Sequence, residues 1–234
     1  MTKVKLAIYE MDRTITHYGT YTPFLMSWAL RHRPWRLLFT PVVVLCLAAY
    51  AAKLITRGRL KTLMLSMLVG KPTRTALEPA IEHFVGRLMA KAVYPGALEQ
   101  IRADKASGAR LVLATASYDF YVAAIARRLG MDDVVATRAV WSEADCIMPS
   151  IEGENCYGEA KLEMVKAYLR DVLKLERKDC HIVFYSDHHS DLPMFEYADE
   201  QVVTNPNKKL REIAVARGWP IVVWGVQRLT KLAA

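Results

Sequence analysis

The stretch YEMDRTIT, Tyr9 to Thr16, decides how this chain is read. It follows a strand-like run, KVKLAIY, and precedes a change of character in the chain. A carboxylate, a spacer, a second carboxylate, a spacer and a threonine stand in order: Glu10, Asp12, Thr14. Val4, Leu6 and Ile8 with their apolar neighbours predict a buried first strand. Two carboxylates two residues apart at a strand end suit metal-assisted phosphoryl chemistry. The first of them is Glu, where such a site ordinarily uses the shorter Asp.

Residues 10–23 hold several Thr, Gly19 and Pro23 and read as a loop. From Pro23 to about Val93 the signals are helical, in Leu/Ala/Met-rich runs broken near Pro34, Gly58 and GKP at 70–72. Four or five helices and no strands are expected there, with Thr73 or Thr75 capping the last. After YPG at 94–96 helices and strands alternate. Helices are expected over Ala97–Ala106, Asp119–Gly130, Gly158–Leu175, Asp191–Tyr197 and Lys208–Arg217. Strands are expected at Ala109–Ala116, within Asp133–Val140, and at CHIVFYS, EQVVTN and IVVW, while Glu143–Tyr157 reads as an irregular polar segment. This alternation predicts an α/β fold, a Rossmann-like, mostly parallel sheet with helices on both faces. Residues 1–20 and 94–234 would form that core, and 21–93 an inserted helical cap.

The 234 residues are 53% apolar and 24% charged, which supports a packed core and excludes disorder. Cys46, Cys146, Cys156 and Cys180 form no C-x-x-C pair and no metal-ligand spacing, and read as free thiols in a reducing compartment. MTKVKLAIYE lacks the apolar region and small-residue cleavage site of a signal peptide. A cytoplasmic location follows as an expectation, with a place at the inner face of the membrane as a refinement of it.

The net charge of +8 is uneven. No Asp or Glu stands between Arg13 and Leu77, a span that holds Arg31, Arg33, Arg36, Lys53, Arg57, Arg59, Lys61, Lys71 and Arg74. Such a block favours an anionic partner: a phosphorylated substrate, an anionic membrane surface or nucleic acid. Nucleic acid is disfavoured, because RNP-like aromatic motifs and other recognition signatures are missing. Inside the block, Leu37 to Ala52 carries no charge. Sixteen residues fall short of the roughly 20 that span a bilayer, and Pro41 interrupts their start. The leading reading is a buried core helix of a small bundle. The sharper alternative is a helix resting on the membrane interface, since Trp28, Trp35 and flanking Arg/Lys are what such anchors use.

In sheets of this kind ligands bind at the carboxyl ends of strands. The first strand ends at Glu10, Asp12 and Thr14, the next at Thr115 and Ser117, and CHIVFYS at Ser186, Asp187 and then Asp191. Lys161, in GEAKLEMV, lies near a helix N-terminus. Bland alternatives exist: Lys161 as a solvated helix lysine, and Ser117 or Asp119 as helix caps. His188 and His189 read as loop lining, not metal ligands.

EMDRT, LVLAT, Lys161 and DHHSD, in that order and with a helical block after the first, resemble the four motifs of the haloacid dehalogenase superfamily. The resemblance is to its phosphoserine-phosphatase-like branch (subfamily IB), and covers nearly the whole chain. It implies a phosphomonoester hydrolase that works through an acyl-phosphate on the first-motif carboxylate, here Glu10. Asp12 would be the acid–base partner. Thr14, Thr115 and Ser117 would contact substrate, and Thr115 and Lys161 would hold phosphoryl oxygens. Mg²⁺ would sit on the carboxylates of Glu10 and Asp187 and the carbonyl of Asp12, with Asp191 in support. Glu10 departs from the family's nucleophilic Asp and extends about 1.5 Å farther, so weakened turnover is expected, with a non-catalytic phospho-ligand binder as the alternative. Phosphoserine is disfavoured as substrate, because its ammonium needs an acidic partner that residues 13–77 do not offer. A lipid phosphate or another anionic phosphomonoester fits the basic, apolar cap better.

Overall fold

Both faces of the first strand, β1 (Val4–Tyr9), are covered. Ala7 and Tyr9 belong to one apolar cluster and Leu6 and Ile8 to another, which is the period of two that a central strand imposes. The computed structural model describes residues 3–225. After β1 the chain enters a helical segment: α1 (Tyr21–His32), a 3-10 turn over Pro34–Phe39, α2 (Thr40–Ala51), α3 (Arg57–Leu68) and α4 (Arg74–Lys91). Thr56 and Thr73 cap α3 and α4, their hydroxyls accepting from the Arg59 and Ala76 amides.

The remainder alternates: α5 (Pro95–Ala106), β2 (Arg110–Tyr118), α6 (Asp119–Leu129), β3 (Asp133–Trp141), β4 (Ile147–Glu152), α7 (Glu159–Ala167), β5 (Cys180–Ser186), α8 (Leu192–Tyr197), β6 (Glu200–Thr204), α9 (Lys208–Arg217) and β7 (Ile221–Val222). The sheet order is β4-β3-β2-β1-β5-β6-β7. Every neighbouring pair is parallel except β3 with β4. From β1 the chain works outward through β2, β3 and β4, then returns through α7 to β5 on the other side of β1. The crevice at the carboxyl end of β1 is therefore the switch point at which such sheets bind ligands.

Three expectations change. The segment read as irregular contains β4, an antiparallel edge strand. Its alternation of Ile147, Pro149 and Ile151 is masked by the proline, which an edge strand tolerates. The helix expected to Leu175 leaves α geometry after Ala167 and passes through a π-helical turn, Tyr168–Val172. The third change is the largest. α2 is not a buried core helix: Val43 alone of its residues is buried. Leu38, Leu45 and Leu54 are 80%, 67% and 78% exposed. A helix apolar on every side needs partners all round; its main contacts here are α3 and the preceding 3-10 turn.

Candidate active site

The turn after β1 is tight. The Ile15 and Thr16 amides both donate to the Met11 carbonyl. Arg13 takes a left-handed φ of 64°, a conformation that non-glycine residues adopt sparingly and often at functional sites. The turn folds Thr14 inward, where its hydroxyl donates to Asp187 Oδ1 at 3.1 Å. Asp12 is anchored from its own loop and from β2. The Thr20 amide and hydroxyl donate to its Oδ1 at 2.8 and 2.7 Å, and the Ser117 hydroxyl donates to its Oδ2 at 3.0 Å. Ser117 reaches Asp12 because β2 carries an irregularity between Thr115 and Tyr118, a device that re-aims side chains at strand ends.

Lys161 stands in the first turn of α7, buried to 1% exposure. Its ammonium pairs with Glu10 Oε2 and, at 2.8 Å, with Asp191 Oδ1. Asp191 is fixed in turn by the Ser186 hydroxyl, which donates to Oδ2 at 2.6 Å. The other oxygen of Glu10 accepts from the Thr115 hydroxyl at 2.9 Å. Burial pushes the Glu10 carboxyl up, to about 7, against the opposing pull of Lys161, with Asp191 and Asp12 adding to the rise. Burial works to discharge Lys161, but the Asp191 and Glu10 carboxylates outweigh it and hold the ammonium charged. Burial also lifts Asp187 to about 7, with the Thr14 bond opposing and Asp191 reinforcing.

Glu10, Asp12, Lys161, Asp187 and Asp191 line one cavity of about 310 Å³ at the carboxyl end of β1. Thr14 and Thr115 are fully buried, each bonded to one of its carboxylates. Ser117 borders a second cavity, of about 300 Å³, which α2 and α3 also line. His188 lines the first cavity and bonds Ser190 through Nδ1; burial lowers it to about 4.

Two residues of the helical segment enter the site, Arg57 and Lys61, although neither stands out by its position in sequence. Arg57 borders both cavities and stacks its guanidinium over the Tyr157 ring at 4.2 Å. Lys61 donates to the Ala116 carbonyl at 2.5 Å and to Asn155 Oδ1 at 2.9 Å, joining α3 to the sheet. Both were visible only as members of the basic block, since how a cap sits over a sheet is not written in residue spacing.

No group of three or more His, Cys, Asp or Glu side chains is arranged as a metal site among the described residues. Mg²⁺ asks for less: one or two carboxylates, a carbonyl and retained waters. The side chain of Asp12 is engaged with Thr20 and Ser117, which leaves its carbonyl as a donor. Asp187 is buried with Thr14 as its side-chain hydrogen-bond donor, a carboxylate that a cation would satisfy. This all-oxygen set fits the ion.

Residues 7–196 match the family described as haloacid dehalogenase-like hydrolase. The chain belongs to that family. A probable phosphatase of Mycobacterium tuberculosis is 34% identical over 134 residues, 56% of this chain and 44% of that protein. The chain thus spans less than half the length of that relative. Among solved structures, a protein of unknown function from Bordetella pertussis Tohama I is 26% identical, with a TM-score of 0.84 over 94% of this chain and 99% of the other. A substrate-bound phosphoserine phosphatase superposes at 0.63 over 97% and 96%, at 18% identity, which speaks to fold alone. For this haloacid dehalogenase-like hydrolase, the expected α/β class holds.

Proposed function

We propose that the chain hydrolyses phosphomonoesters through an acyl-phosphate on the first-motif carboxylate. The observation that carries this is the convergence of Glu10, Asp12, Lys161 and Asp187 on one cavity at the switch point of the sheet. Glu10 is the nucleophile, and attack on phosphorus displaces the alcohol. Asp12, held by Thr20 and Ser117, gives that alcohol its proton and then takes one from the water that opens the intermediate. Lys161 offers positive charge to phosphoryl oxygens, and Asp191 holds it in place. Mg²⁺, held by Asp187 and the Asp12 carbonyl, and by Glu10 once one of its oxygens leaves Thr115 or Lys161, would neutralise phosphate charge when bound.

Turnover by this chain is weak on the same reading. Glu10 places its carboxylate against Thr115 and Lys161, the two groups that phosphoryl oxygens need. A longer side chain thus both moves the nucleophile and fills the anion seat. That observation also favours the second reading, a binder of phosphorylated ligands without turnover. The substrate we propose is an anionic phosphomonoester, in its sharper form a lipid-linked phosphate met at the inner face of a membrane. The support is the basic, acid-free cap and the apolar residues Leu47, Leu60 and Met64 around the second cavity.

The test is steady-state hydrolysis of an aryl phosphate with Mg²⁺. Glu10→Asp should raise turnover roughly a hundredfold, the scale for restoring about 1 Å of placement. Adding Asp12→Asn should remove most of the gain. A Glu10→Asp variant that folds, as judged by circular dichroism, and is no faster than the parent would favour the binder.

A further inference from the structure

The apolar residues of α2 are turned to solvent. Val42, Val44, Leu45 and Leu47 are exposed, as are Leu38 just before the helix and Leu54 just after it, more large apolar side chains in one stretch than single scattered leucines account for. Trp35 and Phe39, in the 3-10 turn before it, are exposed too. Cations stand at both ends: Arg31 and Arg33 before the turn, Lys53, Arg57 and Arg59 after the helix, each exposed. No acid interrupts them, for the whole span from Arg13 to Leu77 lacks Asp and Glu.

We infer that α2 and the preceding turn form a docking face for an anionic lipid bilayer, lying in its interface with the cavities opening toward it. The pattern is that of a helix that meets lipid with an apolar surface on all its exposed sides, with an aromatic residue near one end and basic residues at both ends to meet anionic headgroups. By length and composition alone, Pro34–Ala51 is long and apolar enough to cross a membrane. The geometry argues against spanning. Spanning would pull α2 away from α3, against which it packs, and would take Leu47 and Tyr50 out of the second cavity.

A second copy of the chain is the competing occupant, and charge disfavours it. A twofold dimer sets each patch on itself, so the basic rims would face each other with no acid from this block between them. An anionic surface reverses the sign of that interaction, by about fivefold in binding per basic residue. The site also communicates with this face. Leu47 and Tyr50, exposed on α2, line the second cavity, which shares Asp12, Gly19, Arg57 and Ala116 with the phosphoryl cavity. A phosphate at Lys161 with an apolar chain running past Leu47 would emerge at the bilayer.

This deepens the lipid-linked reading of the substrate, and vesicle binding tests it without reference to turnover. The full chain is sedimented with vesicles of phosphatidylcholine alone and of phosphatidylcholine with phosphatidylglycerol. Binding to the mixed vesicles only is expected. Arg31→Gln with Arg33→Gln should weaken it roughly twenty-five-fold, and Leu38→Glu or Leu45→Glu by at least about tenfold. Hydrolysis of a soluble aryl phosphate by the Glu10→Asp form should be the same with and without these changes. Docking with no hydrolysis leaves this inference standing and removes the enzyme reading. No pelleting, equal pelleting with neutral vesicles, or a solution dimer that Leu45→Glu dissociates would overturn it.

Discussion

Asp187 shows how one side chain links folding to the site. It is buried, and its carboxyl is pushed up to about 7 chiefly by that burial. In the unfolded chain it titrates near 3.9. Between these values the folded state binds the extra proton, so stability is full below about pH 4 and falls as pH rises through about 7. On the proposed reading a cation would take the place of that proton. The metal-free chain should therefore lose stability between about pH 4 and 7, on the order of a few kcal/mol. Mg²⁺ should return it at pH 8 and do little at pH 5. Asp187→Asn should reduce the slope, leaving the part that Glu10 contributes, and abolish Mg²⁺ binding without unfolding the chain. Thermal denaturation against pH and titration calorimetry read both; unchanged Mg²⁺ affinity in Asp187→Asn removes Asp187 from the ligand set. The identity of such residues was legible in sequence because each falls at a strand end. Their hydrogen bonds were not: Thr14 turns to Asp187, 173 positions away, and only the fold brings them together.

At the scale of elements, α7 matters most, because it delivers Lys161. The helix begins after Gly158, whose φ of 60° and ψ of −130° lie where residues with a Cβ are strained. An added Cβ would find room, with the Ser190 carbonyl at 3.7 Å, so the cost is conformational and not steric crowding. Gly158→Ala should destabilise the chain by about 1–3 kcal/mol. In the Glu10→Asp background it should also slow hydrolysis, since Lys161 would be displaced. Urea unfolding and the aryl phosphate assay measure the two; full stability would mean that the turn relaxes. Most elements could be read from the sequence, because parallel strands and capped helices write strong periodic signals. β4 could not, since Pro149 breaks its alternation. The sequence shows α2 as a helix but not its exposure, because an all-apolar run states what a helix avoids and not what it touches.

At the scale of the molecule the described residues form two apolar clusters, and their boundaries do not follow the sequence division into cap and core. One holds Trp28, Leu65 and Leu88 from the cap together with Tyr9, Leu113 and Tyr121 from the sheet side. The other, around Ile8, Ile182 and Phe195, fills the opposite face of the sheet. An insertion whose interior is continuous with one face of its host cannot melt alone without opening that face to water. Lys61 adds polar ties from α3 to Ala116 and Asn155. Leu65→Ala, at a position with no exposure in α3, tests this continuity. The cavity should cost about 3 kcal/mol, or roughly 6–12 °C in Tm for a chain of this size. Near-ultraviolet and far-ultraviolet circular dichroism should fall together, and the calorimetric and van't Hoff enthalpies should agree. Two transitions, with the lower alone shifted by the substitution, would mean that the cap unfolds as its own unit. In that case the second cavity, bounded by α2, α3 and the end of β2, would open before the sheet does, and the cap would gate the site instead of roofing it.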